Sequence, residues 1–294
     1  MIPAAKHTLV LAFLAGCATC AQAAVVDILP GDYVALRSGE RGVTGYLYRR
    51  NSAGPYTSGT RTGNAGVSID AAALRFSGFH DVAGMIWAWS VTPLWSTAKL
   101  AEGTMPSAFG RDAGGSGDVR LSATLWPVAD VQRGEYVGLT AAWFEPTGNY
   151  SNQRILNIGE NRRKLALLAG WSTPVTKNLR LEIIPELAIY GANGDYLGGR
   201  RRTQDNTLAL TSYLRWRMAT QWEVHVGAQV NGGGETSINN VPQNDVARNT
   251  RLMLGLARAL DRNTVVSIRY GADTGIGNGF RLDREWQFRI GRKF

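Results

Sequence analysis

The feature that most constrains the fold is a pair of long segments in which apolar and polar residues alternate. In residues 178–190 the odd positions from 179 onward are apolar: Leu179, Leu181, Ile183, Pro185, Leu187 and Ile189. Residues 164–173 alternate in the same way, and a short turn joins the two segments. This period is typical of a β-strand with one apolar face. The length fits a strand that crosses a bilayer, which needs about 9–11 residues, although strands of a soluble β-sandwich also alternate.

The composition agrees with a membrane protein built from strands. The mean hydropathy is −0.15 and 19% of the residues are charged. The inward face of a transmembrane barrel is polar, and it lowers the average hydropathy. No run of 18 apolar residues follows the N-terminal region, so the sequence predicts no transmembrane helix.

Residues 1–23 are interpreted as a secretory signal peptide. Lys6 precedes an apolar stretch at residues 8–15, and the Ala-Gln-Ala at residues 21–23 offers a cleavage site. Secretion argues against nucleic acid as a partner, although the formal net charge is +9.

A second interpretation of this region is a lipoprotein signal. Residues 14–17 read Leu-Ala-Gly-Cys and resemble a box in which Cys17 becomes lipidated. Cleavage after Ala23 would instead remove Cys17 and Cys20 together. The mature chain would then have no cysteine for a disulfide, for thiol catalysis or for a metal site.

The same alternation predicts about twelve strands after a periplasmic lead-in segment at residues 24–41. They are expected at residues 42–50, 67–78, 84–93, 118–126, 135–145, 164–173, 178–190, 205–218, 221–231, 248–259, 264–273 and 280–294. Long and short connections alternate between them, except for a compressed connection after the eleventh. A soluble β-sandwich would not show this alternation of connection lengths. The alternation predicts an all-β chain whose residues 42–294 form a closed antiparallel transmembrane β-barrel with short periplasmic turns and longer extracellular loops.

Aromatic residues support the barrel. Most of the nine tryptophans fall near strand ends or on apolar faces, as in the aromatic girdles of membrane barrels. The last segment places Phe288, Ile290 and Phe294 on one face. A terminal aromatic residue in this pattern resembles the signal that the barrel-assembly machinery recognises.

Several segments together resemble one known family. They are residues 27–33 (Asp-Ile-Leu-Pro-Gly-Asp-Tyr), 117–118 (Gly-Asp), 145–150 (Glu-Pro-Thr-Gly-Asn-Tyr), 157–162 (Asn-Ile-Gly-Glu-Asn-Arg) and the terminal Phe294. The chain resembles the MetA-pathway phenol-degradation family of outer-membrane proteins. This resemblance implies a barrel and a role in the uptake of hydrophobic or aromatic compounds, and it brings no catalytic residues. The residues at 146–150 are interpreted mainly as turn chemistry.

The residues do not favour an enzyme, a metal site or a cofactor. An outer-membrane phospholipase with Ser, His and Asn is the nearest enzymatic alternative. Ser212 is expected to face outward without a histidine partner, because His80 lies in a turn and His225 faces the lumen. No cluster of His, Asp and Glu has metal-ligand spacing. The Arg-Arg-Arg run at residues 200–202 is interpreted as a solvated loop or as a contact with lipopolysaccharide phosphates.

Charged residues on the inward faces are the candidates for function. They are Lys164, Arg180, Arg215, Arg217, His225, Arg251, Arg269 and Arg289, against Asp118, Glu182, Glu186, Glu223, Asp283 and Glu285. Most are expected to form structural ion pairs. Across the turn after Met218, Arg217 should oppose Glu223 and be neutralised, and Arg215 should oppose His225. Arg215, Arg251 and Arg269 are therefore predicted to be free lumenal charges that make the pore weakly anion-selective. Glu182 and Glu186 stand against this, because a neighbouring strand could bring them to Arg215.

The sequence thus predicts a monomeric channel or transporter for small hydrophobic or aromatic solutes in the outer membrane of a Gram-negative bacterium. Its expected partners are outer-membrane lipid and lipopolysaccharide, the barrel-assembly machinery and a small-molecule solute. The alternatives are a plugged barrel with a structural or adhesive role and, further off, a lipid-modifying enzyme.

Deletion of Phe294 is expected to impair membrane insertion, because the apolar face of the last strand ends there. The amount of heat-modifiable barrel in the membrane fraction measures this. Normal amounts in the deletion variant would contradict the assembly role of Phe294.

Overall fold

The structure is a computed structural model that describes residues 26–64, 66–101 and 110–294. The predicted signal peptide, with Cys17 and Cys20, lies outside the described residues. Secondary structure in the described part consists of β-strands. Among these residues, no helix has the length and apolar character needed to cross a membrane.

Twelve antiparallel strands form the wall of a barrel, as the alternation predicted. They are β1 (Arg41–Thr57), β2 (Val67–Val82), β3 (Met85–Thr92), β4 (Val119–Asp130), β5 (Glu135–Glu145), β6 (Lys164–Pro174), β7 (Leu179–Tyr190), β8 (Thr207–Ala219), β9 (Trp222–Gly233), β10 (Ala247–Ala259), β11 (Thr264–Ile276) and β12 (Gly279–Lys293). Each strand pairs with its neighbours in the sequence.

The first and last strands close the barrel. Strand β1 pairs with β12 on one side and with β2 on the other, so that Gly42 lies opposite both Lys293 and Ser77. The backbone of Phe294 continues this seam by exchanging two hydrogen bonds with Arg41. Closure satisfies the backbone N–H and C=O groups of both strands, which a bilayer requires because it offers them no water.

Two predicted loops contain regular structure. Strand β3 stops at Pro93, which has no N–H to donate, and the chain continues as a strand at Leu94–Leu100 that pairs with Asp112–Ser116. Short strands at Asn193–Tyr196, Arg200–Gln204, Thr236–Ile238 and Val241–Pro242 form a separate four-stranded sheet, and Thr60–Arg61 extends the hairpin after β1. The sequence prediction of plain loops at these positions was wrong, because these strands are too short to show a clear alternation.

The two faces of the wall follow the predicted alternation. Large apolar side chains point outward, and Leu208 is 64% exposed. Trp89, Trp143, Trp171, Trp216, Trp222 and Trp286 are also exposed on the outside. Trp126 is an exception, because it lies inside the barrel and donates a hydrogen bond to the carbonyl oxygen of Tyr33 at 3.0 Å. The interior holds buried charged side chains together with apolar ones such as Phe144, Leu168 and Ile184.

The two ends of the barrel differ in their connections. Five of the described connections are short and lie at one end, here called the short-turn end: residues 83–84, 131–134, 175–178, 220–221 and 260–263. The opposite end, called the long-loop end, carries the longer connections, whose described residues are 58–64, 66, 93–101, 110–118, 146–163, 191–206 and 234–246. The hairpin between β11 and β12 lies at the long-loop end and has two residues, as the compressed connection predicted.

Residues 26–40 fold into the barrel. Gly39 and Glu40 pair with Phe79 at the short-turn end, and the chain before them runs up the lumen as far as Val26. The side chains of Leu29 and Tyr33 are buried against the inner wall. The sequence predicted residues 24–41 to precede the barrel as a lead-in segment, whereas the described part of this segment lies inside the barrel. We call residues 26–38 the plug.

We expect a cysteine at Ser58 or Gly194 to be labelled from outside intact cells, and a cysteine at Arg262 to be protected. Ser58 and Gly194 are exposed at the long-loop end, and Arg262 is exposed at the short-turn end. The neighbouring Asn193 is not suitable for labelling, because it is buried and donates a hydrogen bond to Tyr150. A membrane-impermeant maleimide provides the measurement, and the parent chain is the control. The reverse labelling pattern would contradict the orientation.

The lumen as the candidate functional site

The first group of inward charges surrounds Arg215 on β8. Its guanidinium donates two hydrogen bonds to Glu223, at 2.8 and 2.9 Å, and one to Glu182 on β7 at 2.6 Å. Both carboxylates therefore neutralise Arg215. The prediction of a free charge at Arg215 was wrong, and the objection raised over Glu182 is confirmed.

The register that led to this prediction is nevertheless the observed one. Arg217 lies opposite Glu223, and Arg215 lies opposite His225. Diagonal neighbours on paired strands are still within reach of a long side chain, and Glu223 bonds to Arg215 in this way. Arg217 is exposed near the short turn and does not take the predicted partner.

The second group surrounds Glu285, which is 0% exposed on β12. Arg269 donates to it at 2.8 Å, Arg50 also donates to it, and Arg251 lies 4.0 Å away. Arg251 bonds in addition to Asp273 at 3.0 Å. The prediction of free charges at Arg251 and Arg269 was wrong, because the carboxylates come from neighbouring strands and not from residues nearby in sequence.

The other predicted residues have mixed positions. Lys164 forms an ion pair with Glu160 and lies 4.6 Å from the centre of the Phe144 ring. Arg180 donates to the carbonyl oxygen of Gly134 at 2.6 Å. Asp283 is exposed and does not face the lumen, because a bulge at this point of the β1–β12 pairing turns Leu282 inward.

Neither histidine that was considered for catalysis has a partner suited to it. His225 lies edge-on to the Tyr213 ring at 6.2 Å, and neither of its nitrogens has a hydrogen-bond partner among the described residues. Its side chain fits because Gly255, opposite it on β10, has no Cβ that would overlap the imidazole. His80 stacks on Trp87 at 5.2 Å.

The plug is held in the lumen by charges and hydrogen bonds. Asp27 bonds to Arg269 at 2.9 Å. Asp32 bonds to Arg75 at 3.1 Å and lies 3.4 Å from Arg289. The N–H of Gly31 donates to Glu182 at 3.0 Å. Two acids of the plug therefore complete the lumenal ion pairs.

Tyr33 anchors the plug on the opposite wall. Its hydroxyl donates to Thr140 at 3.1 Å. A Cβ at Gly170 would overlap the Tyr33 ring, and a Cβ at Gly138 would lie 2.8 Å from it. Both positions must be glycine for the ring to lie flat against the wall. Asp27, Asp32 and Tyr33 belong to the first family-like segment, but no pattern in their sequence indicates that this segment enters the barrel.

A loop at residues 146–163 partly covers the lumen at the long-loop end. Asp118 holds it by accepting hydrogen bonds from the N–H groups of Gly148 and Glu160, both at 3.0 Å. Its apolar residues Ile155 and Leu156 are buried beneath it. The two family-like segments of this loop meet there, because a Cβ at Gly159 would lie 2.7 Å from the backbone of Gly148. We call this loop, residues 146–163, the roof.

The roof and Asp27 of the plug border a cavity of about 280 Å³, which we call the chamber. Its wall combines rings such as Tyr48, Phe144 and Tyr190 with apolar side chains such as Ile69 and Leu94. The charged residues that line it are Asp27, Arg50, Asp118, Arg120, Glu160, Arg162 and Arg202. The prediction from inward charges did not indicate this chamber.

Two arginines of the chamber have no carboxylate partner among the described residues. Arg120 makes one long hydrogen bond, at 3.4 Å, to Thr92. Arg202 lies 5.4 Å from the centre of the Tyr196 ring, and its Nε and Nη2 atoms have no hydrogen-bond partner. Arg202 belongs to the Arg-Arg-Arg run interpreted as a solvated loop. In the structure Arg201 is exposed and Arg202 is buried, as alternation along a short strand requires.

The chain matches one family model. It is described as "Putative MetA-pathway of phenol degradation", and the match covers residues 50–287. This confirms the resemblance that the segments at residues 145–150 and 157–162 carried. The comparison with curated proteins found no match.

Solved structures with the same fold are outer-membrane barrels. An outer membrane channel from Pseudomonas putida F1 has a TM-score of 0.86 and 22% identity, covering 91% of this chain and 100% of that chain. The β domain of the Bordetella autotransporter BrkA has a TM-score of 0.55 and 12% identity, with 88% and 100% covered. The translocator domain of the autotransporter NalP from Neisseria meningitidis has a TM-score of 0.53 and 12% identity, with 89% and 90% covered. At these identities the similarity shows the fold.

Substitution of Glu285 by Gln is expected to destabilise the barrel strongly. It would remove the buried carboxylate shared by Arg50 and Arg269. Breaking a buried ion pair on one side costs about 3–5 kcal/mol. The matched control is Asp70→Asn, because Asp70 pairs with Arg49 at 3.8 Å on the exposed surface, where a pair contributes about 0–1 kcal/mol. Thermal unfolding followed by gel mobility compares the two variants, and equal shifts would contradict the structural role of Glu285.

Proposed function

We propose that this chain, which belongs to the MetA-pathway phenol-degradation family, is an outer-membrane channel for small apolar and aromatic solutes. The observation that carries this proposal is the chamber. The chamber lies in the lumen of a barrel whose fold is that of an outer-membrane channel. The roof, which contains the family-like segments, lies on one side of it, and the plug lies on the other. A solute would enter at the long-loop end, occupy the chamber and leave when the plug moves.

The chamber wall supports the class of solute. A cavity of 150 Å³ lined by apolar side chains can bind benzene, so about 280 Å³ has room for one substituted ring. Several tyrosine rings and the buried Ile155 and Leu156 offer it apolar contact. Binding sites for small molecules combine such walls with a few polar groups that fix orientation. The chamber has both.

Weak anion selectivity remains part of the proposal, on different residues from those first expected. Arg215, Arg251 and Arg269 are neutralised by carboxylates and are structural. Arg120 and Arg202 now supply the uncompensated positive charge. Arginines without partners in a narrow pore attract anions.

The plug determines what the channel must do to conduct. It lies in the lumen from the short-turn end inward, so we expect transport to require that it shift or leave. Its fixation depends on ion pairs from Asp27 and Asp32 and on Tyr33 packing against glycines. Each of these contacts can be broken without disturbing the strand pairing of the wall.

Substitution of Gly170 by Ala is expected to raise the conductance of the purified protein in planar bilayers. The added methyl group would occupy the space of the Tyr33 ring and displace the plug from the wall. Gly275→Ala is the matched control, because Gly275 lies on a barrel strand with no atom within 4 Å of the added Cβ. Equal conductance of the two variants would contradict a plug that gates the lumen.

The solute class is tested in the same preparation and in cells. A salt gradient should give a reversal potential that indicates anion preference, and Arg120→Gln should reduce it. Porin-deficient Gram-negative cells that express the chain should take up labelled phenol faster than cells without it, with labelled sucrose as the control. No increase in uptake, together with no conductance in the Gly170→Ala variant, would favour a plugged barrel with a structural role.

A further inference from the structure

Arg202 is a buried cation whose hydrogen-bonding groups are mostly unused. It is 5% exposed on the strand Arg200–Gln204, which packs over the long-loop end of the lumen. Its Nε and Nη2 atoms have no hydrogen-bond acceptor among the described residues, and the side chain borders the chamber. Leaving a buried donor of a charged group unsatisfied is costly, so such a group points to a missing anionic partner.

A second guanidinium borders the chamber close by. Arg162 is held by Glu160, which accepts from its Nε at 2.9 Å and its Nη2 at 2.7 Å, and by Gln204 at 2.7 Å. Its Cζ atom lies 4.7 Å from the centre of the Tyr190 ring. These contacts fix the group in one orientation and leave Nη1 buried without a partner. Three N–H-bearing atoms of Arg162 and Arg202 therefore remain available.

The charges around these two groups do not balance. Glu160 and Asp245 are close enough to act on Arg202. Glu160 already bonds to both Lys164 and Arg162, and Asp245 accepts hydrogen bonds from Thr236. Burial alone would raise the pKa of Glu160, but the charges of Lys164 and Arg162 outweigh it and hold that pKa below its usual range. Burial, and then the like charge of Arg162, lower the pKa of Arg202. An anion between Arg162 and Arg202 would raise the pKa of Glu160 and the pKa of Arg202 back toward their usual ranges.

The surroundings restrict the kind of anion. Tyr190, Tyr196 and the apolar underside of the roof, with Ile155 and Leu156, border the same space. An inorganic anion would leave these surfaces without contact. A planar carboxylate on an aromatic ring matches both parts, because a guanidinium binds a carboxylate through two parallel hydrogen bonds and the ring packs against the tyrosines.

We propose that Arg202 and Arg162 form a binding site for the carboxylate of a small aromatic acid inside the chamber. This inference rests on the proposed channel function and names its preferred solute class. The carboxylate accepts hydrogen bonds from Nε and Nη2 of Arg202 and from Nη1 of Arg162. Glu160 and Gln204 act as positioning residues because they hold Arg162 in place.

Binding of labelled benzoate to the purified full-length protein in detergent tests the site. Equilibrium dialysis should show saturable binding, with benzoate preferred over its uncharged isostere benzamide. In Arg202→Gln we expect benzoate to bind roughly tenfold or more weakly and the preference over benzamide to disappear, since charge-assisted hydrogen bonds are lost. Arg201→Gln is the matched control, because it removes the same charge from an exposed neighbour on the same strand. Arg202→Lys should recover part of the preference.

Several outcomes would overturn the proposal. They are equal binding of benzoate and benzamide by the unaltered protein, an unchanged preference in Arg202→Gln, and displacement of benzoate by equimolar inorganic phosphate. Unchanged heat-modifiability of the variants shows that a lost preference is not lost folding. Binding without any phenol uptake would contradict the channel and leave the site standing. Uptake without benzoate preference would do the reverse.

Discussion

A charge buried inside the barrel is costly unless a counter-charge lies close to it, and the arrangement of the lumen depends on this constraint. An isolated ion in the low-dielectric interior costs several kcal/mol even after relaxation. The inner wall is rich in arginine, and Glu285 alone is approached by Arg50, Arg251 and Arg269. The acids of the wall do not suffice. Asp27 and Asp32 of the plug supply two more, so the plug is bound because the wall that surrounds it is basic.

The packing of the plug adds a second requirement, which concerns shape. A segment without regular structure can lie against a barrel wall only where the wall leaves space for its side chains. Gly138 and Gly170 leave space for the Tyr33 ring, and Gly227 does the same for Tyr213, whose hydroxyl donates to the carbonyl oxygen of Ile28 at 2.9 Å. The glycines of the inner face therefore determine where the plug lies, and the charges determine how firmly it is held.

The sequence predicted the wall well and the interior poorly, for one physical reason. Which face a residue takes is a local property of a strand, so the twelve strands and the opposition of Arg215 and His225 could be read from alternation. Which partner a side chain finds depends on the diagonal reach of long side chains and on distant segments. Asp27 and Arg269 are 242 positions apart, and nothing in either neighbourhood indicates their contact. The burial of Arg202 could have been predicted from alternation only if residues 200–204 had been recognised as a strand.

The two halves of the lumen differ in how the charges of their buried arginines are neutralised. In the short-turn half, arginines of the wall are neutralised by carboxylates of the chain itself, through Asp27 and Asp32 of the plug. In the long-loop half, the roof brings Glu160 to Lys164 and Arg162 but leaves Arg120 and Arg202 without a carboxylate partner among the described residues. Asp27 of the plug borders the chamber. A carboxylate that enters from outside would therefore meet guanidinium groups in the long-loop half, and guanidinium groups also hold the plug in the short-turn half. The plug acids and the proposed solute carboxylate would thus satisfy different arginines of one lumen through the same kind of interaction.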